Sequence, residues 1–275
     1  MDAQAHKQRL AALFDQIAPG YDSPALRFFP FTADLAVSVL RPRPGSKILD
    51  AATGSGAMAV ALAQAVGPQG RVMAIDLSEA MLARAEHNVR KMALGNVDLF
   101  EMDAEAPEFR SGYFDAVACG FGLYFLPDMA RALGQWRRLT KPGGGILFSS
   151  FGVQNFQPLQ GLLFEDLRAA GLDVEPAELA AWRLQEPEVC EGLLAQAGLE
   201  DCKVRKVPMG YHLREAADWW EVVWHSELRG LVQSLAPAAQ DALRDSHLQR
   251  VAETATEEGI WLEVEVLLSS GVVPA

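Results

Sequence analysis

The chain has 275 residues, half of them hydrophobic, and a formal net charge of −12. That length holds one large α/β domain or two small ones around a sizeable core. The charge argues against nucleic acid as a partner, because its phosphates would be repelled over most of the surface, and suits a small-molecule enzyme.

Cys119, Cys190 and Cys202 are too few and too scattered for a disulfide framework or a zinc site. They read as buried reduced thiols, and no metal is expected. Met1–Phe14 is polar and amphipathic, without the apolar core of a signal peptide. No apolar run reaches the roughly 20 residues needed to span a bilayer. A cytoplasmic protein is expected.

Pro42 and Pro44 separate a helical N-terminal arm, residues 1–44, from a domain covering residues 45–275. In that domain Lys47–Ala51 predicts a strand, Ala57–Val66 a helix and Arg71–Ile75 a second strand. Ser78–Met92 follows as a helix with Ser78 as its N-cap. Val97–Met102 and the apolar Tyr113–Cys119 are the third and fourth strands, Asp128–Leu139 is helical, and Lys141-Pro142-Gly143-Gly144-Gly145 is a sharp turn before a fifth strand, Ile146–Phe151. Strand–helix alternation of this kind predicts a mostly parallel, doubly wound sheet. Beyond it, Leu159–Ala170 and Pro187–Ala197 read as helices and Gly198–Tyr211 contains a strand. Ala216–Leu235, with Trp219, Trp220 and Trp224, and Ala238–Thr256 read as helices, and Gly259–Val272 alternates as a final strand.

The most informative segment is Asp50-Ala51-Ala52-Thr53-Gly54-Ser55-Gly56, where an acid and two glycines join a strand to a helix. Glycines there let a ligand approach the main chain, and the first amides of the helix favour a carboxylate or phosphate. Asp50 at the strand end would repel a pyrophosphate but accept an ammonium group, so an amino-acid head group suits the pair. Asp76, 20 residues beyond Gly56, ends the second strand and can take both hydroxyls of a ribose. Asp103 ends the third strand and could accept from an adenine amine, with Leu77, Met81 and Ala104 as apolar walls. Gly54-Ser55-Gly56-Ala57-Met58-Ala59 also fits the loose dinucleotide pattern, so a nicotinamide-dependent oxidoreductase is the rival; Asp50 weighs against it.

These residues resemble class I S-adenosylmethionine-dependent methyltransferases, in particular the ubiquinone/menaquinone-biosynthesis-like, or type 11, group. Asp50-x-x-x-Gly54-x-Gly56 is similar to the first family motif, Asp76 to the ribose acid and Asp103 to the adenine-contacting acid. Phe114–Val117 with Gly120–Leu123 resembles the fourth-strand segment, Leu139–Gly144 the Lys-Pro-Gly-Gly turn, and Phe14–Asp22 the N-terminal signature of the quinone group. Ala52 departs from the pattern, standing where the family has the first motif glycine.

The resemblance implies strand order 3-2-1-4-5-7-6 with the last strand antiparallel, and a cover over the acceptor pocket formed by the arm and a helical insertion at 212–258. It implies S-adenosylmethionine as cofactor, bound by Tyr21, Asp50, Ala52, Thr53, Gly54, Ser55, Gly56, Asp76, Leu77, Met81, Asp103, Ala104, Cys119 and Phe121. It also implies a small-molecule acceptor, aromatic if the tryptophan cluster lines its pocket. In-line transfer from a sulfonium needs alignment and exclusion of water, and a base only where the acceptor must lose a proton. Tyr21, His212 and His225 are the candidates for such a role, with Tyr124 and Tyr211 behind them. A protein that binds the cofactor without transferring its methyl group carries the same motifs. The sequence leaves open the acceptor atom and the oligomeric state.

Overall fold

The computed structural model describes residues 3–174 and 179–275, so Met1 and Asp2 of the predicted arm lie outside the described residues. The apolar run Lys47–Ala51 forms β1, buried from its second residue onward as a central parallel strand requires. β2 (Arg71–Asp76), β3 (Val97–Glu101), β4 (Phe114–Gly120) and β5 (Thr140–Phe151) follow, then β6 (Glu200–Pro208) and two short strands, β7 (Tyr211–Leu213) and β8 (Ile260–Leu262), before β9 (Glu265–Val272). The main sheet has seven strands in the order β3-β2-β1-β4-β5-β9-β6. β9 runs antiparallel to both neighbours and the β1–β5 pairings are parallel, as expected.

The helices are α1 (Ala3–Ile17), α2 (Phe28–Leu40), α3 (Ala57–Val66), α4 (Glu79–Lys91), α5 (Met129–Leu139), α6 (Leu159–Ala169), α7 (Pro187–Gln196), α8 (Ala216–Trp224), α9 (Leu228–Gln233) and α10 (Pro237–Ala252). α2, α3 and α4 pack in sequence on one another, α5 packs on α7, and α6, α8 and α10 form a further group. Ser78 caps α4 as predicted, its hydroxyl accepting the Met81 N–H at 3.1 Å. The core runs through the sheet, with Ile48, Leu49, Ile75, Val117, Ile146 and Phe148 inaccessible to solvent.

Three expectations are corrected. The Lys141–Gly145 turn lies inside β5 as a bulge: Phe114 pairs with Thr140 and Ala116 with Gly145, so the glycines loop out without ending the strand. Gly143 takes a φ of +74° and donates to the Val273 carbonyl at 2.8 Å, tying the bulge to the residue after β9. The helix expected over 216–235 breaks at His225-Ser226-Glu227. There the Ser226 hydroxyl accepts the Leu228 N–H, and the Glu227 carboxylate turns inward onto the Ala180 and Ala181 amides at 2.9 and 3.2 Å. The final strand divides at Glu263-Val264, whose carbonyls take the Phe156 and Met209 N–H groups. Its first part pairs with β7 as a separate two-stranded ribbon.

Candidate functional site

Where β1 ends, three residues take left-handed backbone conformations: Ala52 at φ +56°, Gly54 at φ +54° and Gly56 at φ +87°. Gly56 could not be alanine without disturbance, because a Cβ there would stand 3.0 Å from the Ala85 Cβ of α4. The turn is fixed to β2 by the Thr53 N–H on the Ile75 carbonyl and the Gly54 N–H on Asp76 Oδ2, at 2.9 and 2.8 Å. The other Asp76 oxygen accepts the Ser78 N–H at 3.0 Å. Burial raises the Asp76 pKa against the Ser78, Gly54 and Leu77 amides that favour its charged form.

Asp50 lies behind this turn and is inaccessible to solvent. Its Oδ2 accepts the Thr53 hydroxyl at 2.5 Å, while Oδ1 is buried without a hydrogen-bond partner. Burial pushes its pKa up to about 7 against the Thr53 hydroxyl, and the Asp76 charge adds to the rise.

The turn opens on a cavity of about 920 Å³, mouth included. One wall is the turn itself with Asp76, Leu77, Met102 and Ala104 from the ends of β2 and β3; another is Gly120, Phe121 and Gly122 after β4. Leu10, Ala11 and Phe14 of α1, Tyr21, and Phe29, Thr32 and Ala33 of α2 close the cavity over the sheet. The Tyr21 ring stacks on Phe29 with centroids 4.9 Å apart, and a Cβ on Gly54 would meet its edge at 3.7 Å. Burial raises the Tyr21 pKa, with Asp76 and Asp22 adding to it. Phe121 holds a φ of +54°, its N–H donating to Ser149 Oγ at 3.1 Å; such strain in a bulky residue is found where function over-determines the backbone.

A second chamber, about 540 Å³ with its mouth and the open space before it included, adjoins the first and shares Phe14, Tyr21, Phe29 and Phe125 with it. Phe28, Tyr124, Phe151 and Phe156 complete its aromatic lining; Asn155, Gln160, His225, Ser226 and Glu227 are its polar groups. Of these lining residues, Asn155 and His225 each have a buried atom, Oδ1 and Nδ1, without a hydrogen-bond partner.

With this geometry in view, the comparisons with known proteins are decisive. Residues 2–162 match the model of the ubiE/COQ5 methyltransferase family. The chain belongs to that family. This methyltransferase is 33% identical to the aklanonic acid methyltransferase DauC of Streptomyces sp. strain C5 over 150 residues, 54% of this chain and 68% of that protein. It is 34% identical to the demethylmenaquinone methyltransferase of Bacillus cytotoxicus over 148 residues, 52% of this chain and 62% of that protein. The match thus spans less than two thirds of the demethylmenaquinone enzyme's length. Among solved structures, the [4+2]-cyclase SpnF superposes over 98% of this chain and 97% of its own with a TM-score of 0.66 at 18% identity, a likeness of fold.

The methyltransferase's cofactor is S-adenosylmethionine, and the residues present fit it. The cavity opens at the glycine turn, Asp76 stands at its wall with both oxygens anchored from behind, and the unpartnered Asp50 Oδ1 is an acceptor beside the turn. Of the residues expected to bind it, Tyr21, Ala52, Thr53, Gly54, Ser55, Asp76, Leu77, Ala104 and Phe121 are on the wall. The others are not. Asp50 is behind the turn, and Gly56 packs on α4. Met81 is fully buried against Ile17 and Ala18, because the residue three after the N-cap faces the arm. Cys119 points into the core, where burial raises its thiol pKa. Asp103 is paired with Lys7 Nζ at 2.7 Å, and the same lysine also meets Glu105.

The candidate bases separate in the same way. His212 sits on the β7–β8 ribbon, edge-on to Trp261, and belongs to neither chamber. Tyr211 donates to the Ala25 carbonyl at 2.6 Å under the Arg27 guanidinium and is structural. Trp219, Trp220 and Trp224 line neither chamber, so phenylalanines supply the aromatic wall expected of them. Sequence reasoning missed Leu10, Met58, Met102, Phe125 and the Asn155–Phe156 segment. The Leu10, Ala11 and Phe14 spacing on one face of α1 is the signal that could have found the first of these. Among the described residues no helix is long and apolar enough to cross a membrane, and no group of three or more His, Cys, Asp or Glu is placed to hold a metal ion.

Proposed function

We propose that this chain transfers the methyl group of S-adenosylmethionine to a flat, hydroxylated aromatic small molecule held in the second chamber. The observation that carries this reading is the shared wall: Phe14, Tyr21, Phe29 and Phe125 line both chambers, so a ring-lined pocket adjoins the cofactor cavity. Aromatic walls with a few convergent polar groups suit a planar ligand bearing hydroxyl or carbonyl groups. Two relatives are named for small-molecule substrates, a demethylmenaquinone and aklanonic acid.

In this reading Asp76 takes the ribose hydroxyls, Leu77, Met102 and Ala104 flank the adenine, and the Thr53–Ser55 turn with Asp50 behind it receives the amino-acid end. Asp103 reaches the adenine amine only by exchanging its Lys7 partner. When bound, S-adenosylmethionine supplies a methyl group already electrophilic on a sulfonium. Residues 1–44 and the insertion 212–258 act as the cover: α1 and α2 close over the turn, Tyr21 and Phe29 fix the approach of the acceptor, and the phenylalanines keep water out. The cytoplasmic location belongs to the same proposal; its support is that Cys119, Cys190 and Cys202 are free thiols.

Calorimetric titration with S-adenosylhomocysteine and NADH, followed by incubation with methyl-labelled S-adenosylmethionine and a panel of quinols, phenols and amines, tests this. We expect tight binding of the first ligand only, and label in hydroxylated aromatics. Label in aliphatic amines alone overturns the acceptor class. No label in any acceptor, with S-adenosylhomocysteine still bound, points to binding without transfer.

A further inference from the structure

His225 stands at the break between α8 and α9 and lines the aromatic chamber. One turn earlier on α8, Glu221 Oε2 lies 3.3 Å from His225 Nε2. A carboxylate at that nitrogen favours the tautomer with its proton on Nε2, which leaves the lone pair on Nδ1. That Nδ1 is buried and has no hydrogen-bond partner.

The ring is also held from the opposite chain segment. It lies against Gly20, where a Cβ would stand 2.0 Å from Cε1, 2.1 Å from Nε2 and 2.6 Å from Nδ1. Gly20 does not occupy the left-handed region, so the imidazole and not the backbone requires glycine here. The other ionisable groups around the chamber do not offer a free basic atom. Burial raises the pKa of both Tyr21 and Tyr124, which keeps them protonated. Both Glu227 oxygens already accept amides of Ala180 and Ala181. The Arg229 guanidinium lies over Trp224 and donates to the Gln16 carbonyl.

We propose that His225, oriented by Glu221 and seated on Gly20, accepts the proton of the acceptor's hydroxyl. This rests on the reading of the chamber as the pocket of a hydroxylated aromatic. In the step the acceptor O–H bond breaks, its electron pair stays on oxygen, and the proton forms a new N–H bond at Nδ1. The oxygen, or the ring carbon it activates, then has the electron pair that the methyl group requires. The imidazolium charge then faces the half-exposed Glu221 carboxylate, 3.3 Å from Nε2. Asn155 Oδ1, a second unpartnered acceptor in the chamber, is available to a further donor on the ligand.

The test uses the full chain saturated with S-adenosylhomocysteine and 4-nitrophenol as probe, at a pH where the free probe is mostly neutral. Phenolate is read from its absorbance and binding from calorimetry. The wild-type protein should bind the probe and raise its phenolate fraction. His225→Asn should still bind it, with the phenolate fraction at least about tenfold lower, which corresponds to about one unit in the bound probe's pKa. Gly20→Ala should lower it too, by pushing the ring off its seat. Unchanged affinity for S-adenosylhomocysteine reports that each variant is folded, since His225 is not part of that cavity. Equal phenolate in wild type and His225→Asn, or bound probe that stays neutral in wild type, overturns the role of His225 while leaving the pocket intact. Failure of the wild type to bind the probe overturns the pocket reading itself, and this proposal with it.

Discussion

The two sides of the cavity are built on opposite principles. The cofactor side is backbone and carboxylate: successive strand ends between Asp50 and Ala104 bring amides and acids together, with the chain in left-handed conformations at Ala52, Gly54 and Gly56. The second chamber is side chain and ring: Phe14, Phe29, Phe125, Phe151 and Phe156 come from distant segments onto one surface. The first arrangement tolerates little change, because the turn amides and the Asp76 carboxylate position one another. The second can alter ring by ring, which is how one cofactor half can serve different acceptors. The halves are fastened by charge. Asp15 accepts from the Ser78 hydroxyl at the start of α4, Asp22 holds Arg84 and Asn88 further along it, and Lys7 ties α1 to Asp103 and Glu105.

The contrast is tested hardest at Asp76. Asp76→Ala removes the partner of Gly54 and Ser78 and the proposed ribose contacts, each charge-assisted bond being worth roughly 1.5–3 kcal/mol. Affinity for S-adenosylhomocysteine by calorimetry should fall by about two orders of magnitude or more. Phe156→Ala, in the second chamber, should leave that affinity within about twofold. Equal losses in the two variants would mean that the halves are not separable.

The same division decides what the sequence made legible. Strands β1–β5, the Ser78 cap and the glycine turn follow local rules: apolar runs, glycine spacing, acids at strand ends. The chamber does not. Asn155, Phe156, His225 and Gly20 carry no shared period and meet only through the fold. The break at His225 is hidden because apolar residues continue on both sides of it, and the alternation Ile260, Leu262, Val264, Val266 runs unbroken across the point where the strand changes sheets. Met81 packs with Ile17 because helical spacing turns it to the face of α4 under the arm, which its position just after the cap does not reveal.

A smaller effect is expected where α10 packs on α6 and α8. His247 is inaccessible to solvent, accepts the Trp219 indole N–H at Nε2 at 2.8 Å, and faces Asp166 at Nδ1 at 2.7 Å. Burial lowers its pKa, with Asp166 opposing and Arg250 assisting. A histidine depressed in the folded state leaves the unfolded chain binding more protons below the ordinary histidine range. The stabilisation is therefore present above about pH 6.5 and is lost as the pH falls below it. Urea midpoints should drop from pH 7.5 to 5.5 in the wild type. His247→Gln keeps an acceptor for Trp219 and removes the titration; it should cost about 1 kcal/mol at pH 7.5 and show a flatter profile. The same slope in both proteins would place the acid sensitivity elsewhere.

The smallest expected change returns to the glycine turn. Ala52 stands where the resembled motif has glycine, and it occupies φ +56°, a region that is strained for a residue with a β-carbon. Ala52→Gly removes that strain but gives the unfolded chain more freedom, two effects of opposite sign. Strain of this kind usually outweighs the entropy, so the variant should be more stable by about 0.5–1 kcal/mol in urea unfolding. The opposing possibility is visible in the packing: a Cβ on Gly122 would stand 2.6 Å from the Ala52 Cβ, so the two residues are closely apposed across the cavity wall. If Ala52→Gly is less stable, the methyl group's contact with Gly122 outweighs the backbone strain. Alanine at this position would then serve the join between the β1 and β4 ends and not the approach of the cofactor.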